Sequence, residues 1–360
     1  MEQVRIAVIG AGLIGRTHIE VLRSGNPHYA LAAVADPSPA AAAEARELGY
    51  PLYATVEEML DRAKPDGAIV AVPNQMHVST GLKCIERKIP IIIEKPIADD
   101  VASALDLVEA AEKAGVATLV GHHRRHNPIM RKAADIIASG GIGRIVAVNG
   151  LWLSHKPMDY FNVTWRREPG GGPVLINAIH DIDCLRMLCG DVETVNAATS
   201  SEIRKFGVED TAAAVLTFEN GALGTLLVSD TVSTPWFWES GSRENPNRPY
   251  EPENCYIVAG TKGSLAVPSL AHRWHEPGED SWDNPLTQVR PHVRPADAYH
   301  EQMRNFADVI RGLAEPVLSG RDGTLTLATT LAITQSARAG APVRVADMLA
   351  PAPRSKGNDK

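Results

Sequence analysis

The chain has 360 residues, 44% of them hydrophobic and 22% charged, which is ordinary for a globular protein and long enough for two domains with a substantial core. A net charge of −7 argues against a general nucleic-acid binder, which needs a basic face, and no apolar run approaches the length of a membrane span. Cys84, Cys184, Cys189 and Cys255 form no C-x-x-C pair and no zinc spacing, so they read as reduced, buried thiols; with no signal peptide, a cytoplasmic protein is expected.

The chain opens with an apolar strand over 4–9, the turn Gly10-Ala11-Gly12-Leu13-Ile14-Gly15, and a helical stretch over 16–24. Strand, glycine turn and helix in that order form the context a dinucleotide fingerprint needs. Gly10 permits the tight turn, Gly12 lets a pyrophosphate approach the backbone, and Gly15 lets the helix pack closely on the strand. The helix N-terminus offers amide donors and partial positive charge to the phosphates. A second apolar strand over 31–35 ends in Asp36, whose carboxylate suits the ribose hydroxyls of NAD and repels the 2′-phosphate of NADP.

Pro65-Asp66-Gly67 precedes a strand over 68–72, which ends at Pro73-Asn74-Gln75-Met76-His77. A helix over 78–87 leads to the buried-looking run over 89–93 and then Glu94-Lys95-Pro96. Another helix over 101–114 and a strand over 117–120 complete the alternation, which implies a doubly wound parallel sheet with helices on both faces. Lys95 thus lies at the carboxyl end of a parallel strand, where open α/β sheets bind ligands.

At His122-His123-Arg124-Arg125-His126 the alternation stops, so this run is expected at an interdomain cleft, with His123 and Arg124 facing a ligand. No carboxylate or cysteine beside it completes a metal site, and no metal is expected. After a helix over 127–139 the pattern becomes strand-rich, over 145–153, 193–201, 210–218, 222–230 and 256–267. Short connections imply an open, largely antiparallel sheet. Helices over 298–312 and 323–339 close the structure, and the polar, proline-bearing residues 351–360 read as a disordered tail. The division is an NAD-binding domain over 1–125 and an α+β substrate-binding and oligomerisation domain over 126–350. Two segments bear on specificity: one carries Trp152, His155, Lys156, Tyr160 and Trp165, and the other is the irregular stretch 233–254. Trp152 is placed near a ligand, whereas Trp236 and Trp238 suit a lid or an interface.

Taken together, the glycine turn, Pro73-Asn74-Gln75-Met76-His77, Glu94-Lys95-Pro96, and Gly170-Gly171-Gly172 followed by Ile179-His180-Asp181 make the chain resemble the glucose–fructose oxidoreductase, inositol dehydrogenase and rhizopine catabolism (Gfo/Idh/MocA) family. The resemblance spans nearly the whole chain and implies a Rossmann domain, NAD(P)-dependent oxidation of CH–OH groups, and a homodimer or homotetramer. It implies Lys95 as catalytic lysine and His180 as second acid/base group. It also implies that Pro73, Asn74, His77 and Glu94 line the nicotinamide end of the cofactor. Lysine must lose its proton near neutral pH to serve, whereas histidine titrates there unaided. The substrate residues expected are His123, Arg124, Trp152, Trp165, Asn177 and His180.

One position departs from the pattern. Many relatives that oxidise sugars and cyclitols carry an aspartate four residues before the histidine, and here that position is Ile176, with Asn177 beside it. The expected activity is NAD-dependent oxidation of a secondary alcohol on a sugar, cyclitol or related cyclic polyol. A carboxylated cyclic dihydrodiol is the alternative that Arg124 and Arg125 would fit. A redox-neutral glycosidase or lyase using NAD, and a non-catalytic NAD-binding regulator, stay open.

Overall fold

The computed structural model describes residues 2–350, so the expected tail lies outside the described residues. The first sheet comprises β1 (Val4–Ile9), β2 (Tyr29–Ala35), β3 (Leu52–Tyr53), β4 (Gly67–Val70), β5 (Ile91–Ile93) and β6 (Thr118–Val120). Its order is β3-β2-β1-β4-β5-β6, and every described pair is parallel. Strand order reverses between β1 and β4, which opens the crevice where such sheets hold a dinucleotide. The connecting helices are α1 (Leu13–Leu22), α2 (Pro39–Leu48), α3 (Val56–Ala63), α4 (His77–Glu86) and α5 (Val101–Ala114). Their starts are written locally: the side chains of Ser38, Thr55 and Asp100 accept from Ala41, Glu58 and Ser103 amides at the starts of α2, α3 and α5. The β4 and β5 strands are buried throughout, which accounts for their unbroken apolar sequences.

After α6 (Pro128–Ala138) the second sheet takes β7 (Ile145–Leu153), β8 (Val192–Ser200), β9 (Thr211–Phe218), β10 (Leu223–Ser229), β11 (Tyr256–Gly260), β12 (Ser264–Val267), β13 (Ala271–Trp274), β14 (Thr287–Val289) and β15 (Val343–Arg344). Its order is β14-β13-β12-β11-β7-β10-β9-β8-β15. The sheet is mostly antiparallel, with β7 and β10 paired in parallel at its centre. The single strand expected over 256–267 is a hairpin, in which Tyr256 pairs with Val267 and Ala259 with Ser264. Both halves are apolar enough to read as one run, and Gly263 marks the break.

Helix α7 (Ile179–Cys189) and α10 (Gly320–Ala339) cover one face of this sheet, and α8 (Trp238–Ser242) and α11 (Val345–Leu349) are short. Helix α9 (Ala298–Ile310) returns to the first sheet, where Met303, Phe306 and Ala307 join a core with Val4, Ile6 and Ile69. A Cβ on Gly67 would lie 2.6 Å from Ile310 and 2.9 Å from Phe306, so glycine there admits the helix. Helix α10 closes on β6 in the same way, since a Cβ on Gly323 would meet Val120 at 2.4 Å. Helix α10 thereby bridges the two sheets, packing on β6 and β8, and Lys95 at the end of β5 reaches the turn ahead of α7.

Trp238 is a core residue rather than a lid. It is fully buried and stacks on Tyr256 with ring centroids 6.2 Å apart, whereas Trp236 is 43% exposed.

Candidate active site

The glycine turn between β1 and α1 is shaped as a cradle. Gly10 has φ +95°, and a Cβ there would lie 2.6 Å from the Ala71 carbonyl oxygen; one on Gly15 would lie 2.0 Å from the Gly10 oxygen. A Cβ on Gly12 would meet nothing within 4 Å, which leaves open space above the turn. No side chain caps α1, so its first amides face that space. Leu13 is 90% exposed there, and Ile14 beside it is half-buried. At the tip of β2, Asp36 accepts the Ala11 amide at 2.7 Å and the Ser38 amide at 2.8 Å. Burial would raise its pKa, but hydrogen bonds from Ser38 and Ala11 outweigh that and hold the carboxylate below its ordinary range. Turn, helix start and carboxylate fit a dinucleotide whose adenosine ribose meets Asp36.

Glu94 and Lys95 leave β5 in opposite directions. The Glu94 carboxylate turns inward and lies 2.7 Å from His18 Nε2 on α1, in space that only a glycine at 121 leaves open. The Lys95 ammonium reaches across the cleft and donates to the Ile176 carbonyl at 3.2 Å. Ile176 lies in a π-helical turn, Val174–Ala178, that runs directly into α7 one turn ahead of His180. Such turns are rare and cluster at functional sites.

Burial pulls the Lys95 ammonium below its ordinary pKa, against the attraction of the Glu94 carboxylate. Burial also holds the His180 imidazole well below its ordinary value, and the charges of Lys95 and Arg124 add to the effect. His180 is therefore neutral near pH 7, and its buried Nδ1 has no protein partner. The buried Oδ1 of Asn177 is likewise without a partner. Lys95 thus reaches the turn that carries Asn177 and leads into His180, where an imidazole nitrogen and an amide oxygen are buried without a protein partner.

Other expected residues are committed elsewhere. The Arg124 guanidinium is buried against Asp181 at 3.2 Å and Glu239 at 2.8 Å, with Glu244 at 3.7 Å. Arg125 grips Asp183 through two bonds of 2.8 Å. Neither presents a free fork to a substrate carboxylate, so the feature that favoured a carboxylated diol is absent. His123 bonds Glu244 at 3.0 Å and stacks on Tyr299 at 4.5 Å; its ring lies 5.4 Å from that of His180, so it buttresses the site. The His77 ring sits between the carbonyls of Pro96 (2.8 Å) and Val72 (2.9 Å), tying together the loops after β5 and β4. Pro73 is exposed and Asn74 half-buried on that loop. Trp152 is buried with Nε1 unpartnered, and Trp165 is 48% exposed.

The segment expected to bear on specificity packs on itself and on Asp230, and the pairing of Tyr256 with Asp181 carried no sequence signal. The Lys156 ammonium lies over the Trp152 and Tyr160 rings, 5.4 and 4.9 Å from their centroids, and 3.5 Å from Asp230. Burial draws its pKa down to about 8 despite that carboxylate. The hydroxyl of Tyr256 donates to Asp181, whose pKa burial pushes up to about 7 against the pull of Arg124. These pairings join residues up to 75 positions apart, and only the folded chain reveals them.

Residues 4–122 match the model of an oxidoreductase family with NAD-binding Rossmann fold, and residues 130–266 match the GFO/IDH/MocA C-terminal domain. The chain is 29% identical to a 1,5-anhydro-D-fructose reductase of Ensifer adhaerens, over 93% of this chain and 97% of that protein. It is 27% identical to a scyllo-inositol 2-dehydrogenase (NAD(+)) of Bacillus subtilis, over 95% and 96%. Among solved structures it is similar to the WlbA dehydrogenase from Bordetella pertussis in complex with NADH and UDP-GlcNAcA, with TM-score 0.76, 25% identity, and coverage of 98% of this chain and 100% of that one.

Proposed function

Because the chain belongs to the Gfo/Idh/MocA family of NAD-dependent oxidoreductases, we propose that it oxidises a secondary alcohol of a sugar, cyclitol or related cyclic polyol, with Lys95 and His180 managing the proton. NAD, when bound on the glycine turn and Asp36, supplies the hydride acceptor, so the substrate CH–OH leaves as a carbonyl. The observation that carries the proposal is the Lys95 ammonium held 3.2 Å from the Ile176 carbonyl, in the π-helical turn that runs into the helix presenting His180. Lys95 and His180 are both shifted toward their neutral forms, so either can take the hydroxyl proton as charge builds on that oxygen. Asn177 Oδ1 and the Trp152 indole N–H, both unpartnered, serve to hold neighbouring hydroxyls. Burying them unbonded is costly, and a polyol satisfies them.

The exposed face of the second sheet carries Val215, Leu223, Leu227 and Ile257, each at least 38% exposed. These apolar side chains flank the exposed Asn149–Thr225 pair on the same face, and such an open sheet face suits a second copy of the chain, in a homodimer or homotetramer.

The test is NADH absorbance with NAD across sugars, cyclitols, sugar acids and cyclic diols. NADH formed in proportion to polyol consumed supports net dehydrogenation. Substrate conversion without free NADH would point to redox-neutral chemistry, and tight NAD binding with no conversion to a regulator.

A further inference from the structure

His18 has no part in the proton transfer drawn above, yet it is completely buried on α1, the helix that opens at the glycine turn. Its Nε2 lies 2.7 Å from Glu94 Oε1, and its Nδ1 is buried without a partner. The ring is therefore spent on one bond, and that bond ends on the neighbour of Lys95. An ionised carboxylate only accepts, so Nε2 is the donor.

Glu94 depends on that donor. The residue is 5% exposed, and its second oxygen has only the Lys95 amide, at 3.3 Å. Burial would return the carboxyl to its neutral form, but the His18 hydrogen bond and the attraction of Lys95 outweigh burial and hold it below its ordinary range. The Tyr299 ring, edge-on to His18 at 5.6 Å and stacked on His123 at 4.5 Å, fixes the imidazole plane and so aims Nε2 at Glu94.

The charge held there acts on Lys95. Burial draws the Lys95 ammonium toward its neutral form and Arg124 adds to that, whereas Glu94 and Glu239 pull the other way. His122, Lys156 and His180 lie within range of the same ammonium. Of these groups Glu94 is the one adjoining Lys95 in the chain, and His18 is its side-chain partner. We propose that His18 is a positioning residue for the reaction: by fixing the Glu94 carboxylate it sets how firmly Lys95 keeps its proton, and it ties that step to the helix of the cofactor turn. The inference rests on the polyol dehydrogenase reading above and adds to it a residue set behind Lys95.

Two readouts test it: kcat/KM against pH on the best polyol with NAD saturating, and the pH midpoint for trace acetylation of Lys95, read by mass spectrometry. Lys95 is half-buried, so a small reagent reaches it. His18→Leu and His18→Phe both lack the donor and leave Glu94 to burial. Either should move the acid limb and the Lys95 midpoint lower by roughly one pH unit. Glu94→Gln, which keeps the shape, should move both as far, and adding His18→Leu to it should move them no further. His18→Gln, which restores a donor, should hold both near wild type. Midpoints unmoved in Glu94→Gln, or equal shifts in His18→Leu and His18→Gln, would overturn the inference. So would a loss of activity uniform across pH. If no polyol is oxidised, the dehydrogenase reading falls alone, and the acetylation midpoints still decide the link from His18 to Lys95.

Discussion

The Lys95 ammonium bonds the backbone carbonyl of Ile176 at 3.2 Å, at the helix position where the resemblance implies an aspartate side chain. A carbonyl dipole replaces a full negative charge, and the lysine is correspondingly less held in its protonated form. Lys95 must be neutral to accept a proton, so oxidation should fail on the acid side and rise with pH through the apparent pKa of the Lys95/His180 pair. Ile176→Asp restores the carboxylate and should move that acid limb upward by roughly one pH unit. The check is kcat/KM against pH for both proteins, and an unmoved limb would disprove the substitution of carbonyl for carboxylate.

Arg124 holds the interdomain cleft together. Its guanidinium pairs with Asp181 and Glu239 and lies 3.7 Å from Glu244 in buried surroundings, and it lies 5.8 Å from the Trp238 ring centroid. Arg124→Ala strands buried carboxylates and should cost about 3–5 kcal/mol of stability. Thermal or urea unfolding measures this. A variant of undiminished stability with only a raised KM would instead make Arg124 a substrate ligand.

Stability should fall on mild acidification. Burial lowers His122 to about 4 and His126 to about 3, and it lowers His180 as well. The unfolded chain takes up protons near pH 6.5 that the folded chain refuses, so their contribution is full above that pH and drains away as pH drops. Asp181, raised to about 7, works in the opposite sense: its contribution is lost as pH rises through 7. The histidines outnumber it, so the melting temperature should drop by several degrees between pH 7 and pH 5. The fall should be smaller in a His122→Asn/His126→Gln double variant. A melting temperature that holds or rises over that interval would contradict the assignment.

Asp36 sets cofactor choice. Asp36→Ser removes the carboxylate at the ribose and its repulsion of a 2′-phosphate, so Kd for NAD should rise about tenfold while that for NADP improves. Fluorescence titration with both reduced cofactors reads the two constants. An unchanged NAD/NADP ratio would place specificity elsewhere.

Much of the first domain was legible because its signals are local. A glycine turn, a capped helix or a buried strand is written in contiguous residues, and at the first turn Gly10 and Gly15 make close backbone approaches while Asp36 accepts the Ala11 amide. The second sheet was harder to read. The parallel pairing of β7 with β10 links segments some 75 residues apart, and the β11–β12 turn is hidden within an apolar run. At the site, Lys95 was marked by its strand end and His180 by the family resemblance alone. The commitments of Arg124, Arg125 and His77 carried no such mark, because their partners come from distant segments or from backbone carbonyls that no sequence marks. The same holds for His18, whose place beside Glu94 depends on two segments meeting.

The most direct test of the catalytic claim compares wild type with Lys95→Ala on the best polyol substrate, reading NADH formation alongside NAD binding. If Lys95 serves the proton rather than the cofactor cradle, kcat should fall by roughly 10²–10⁴ with Kd for NAD changed little. Turnover surviving within a few-fold of wild type would contradict it.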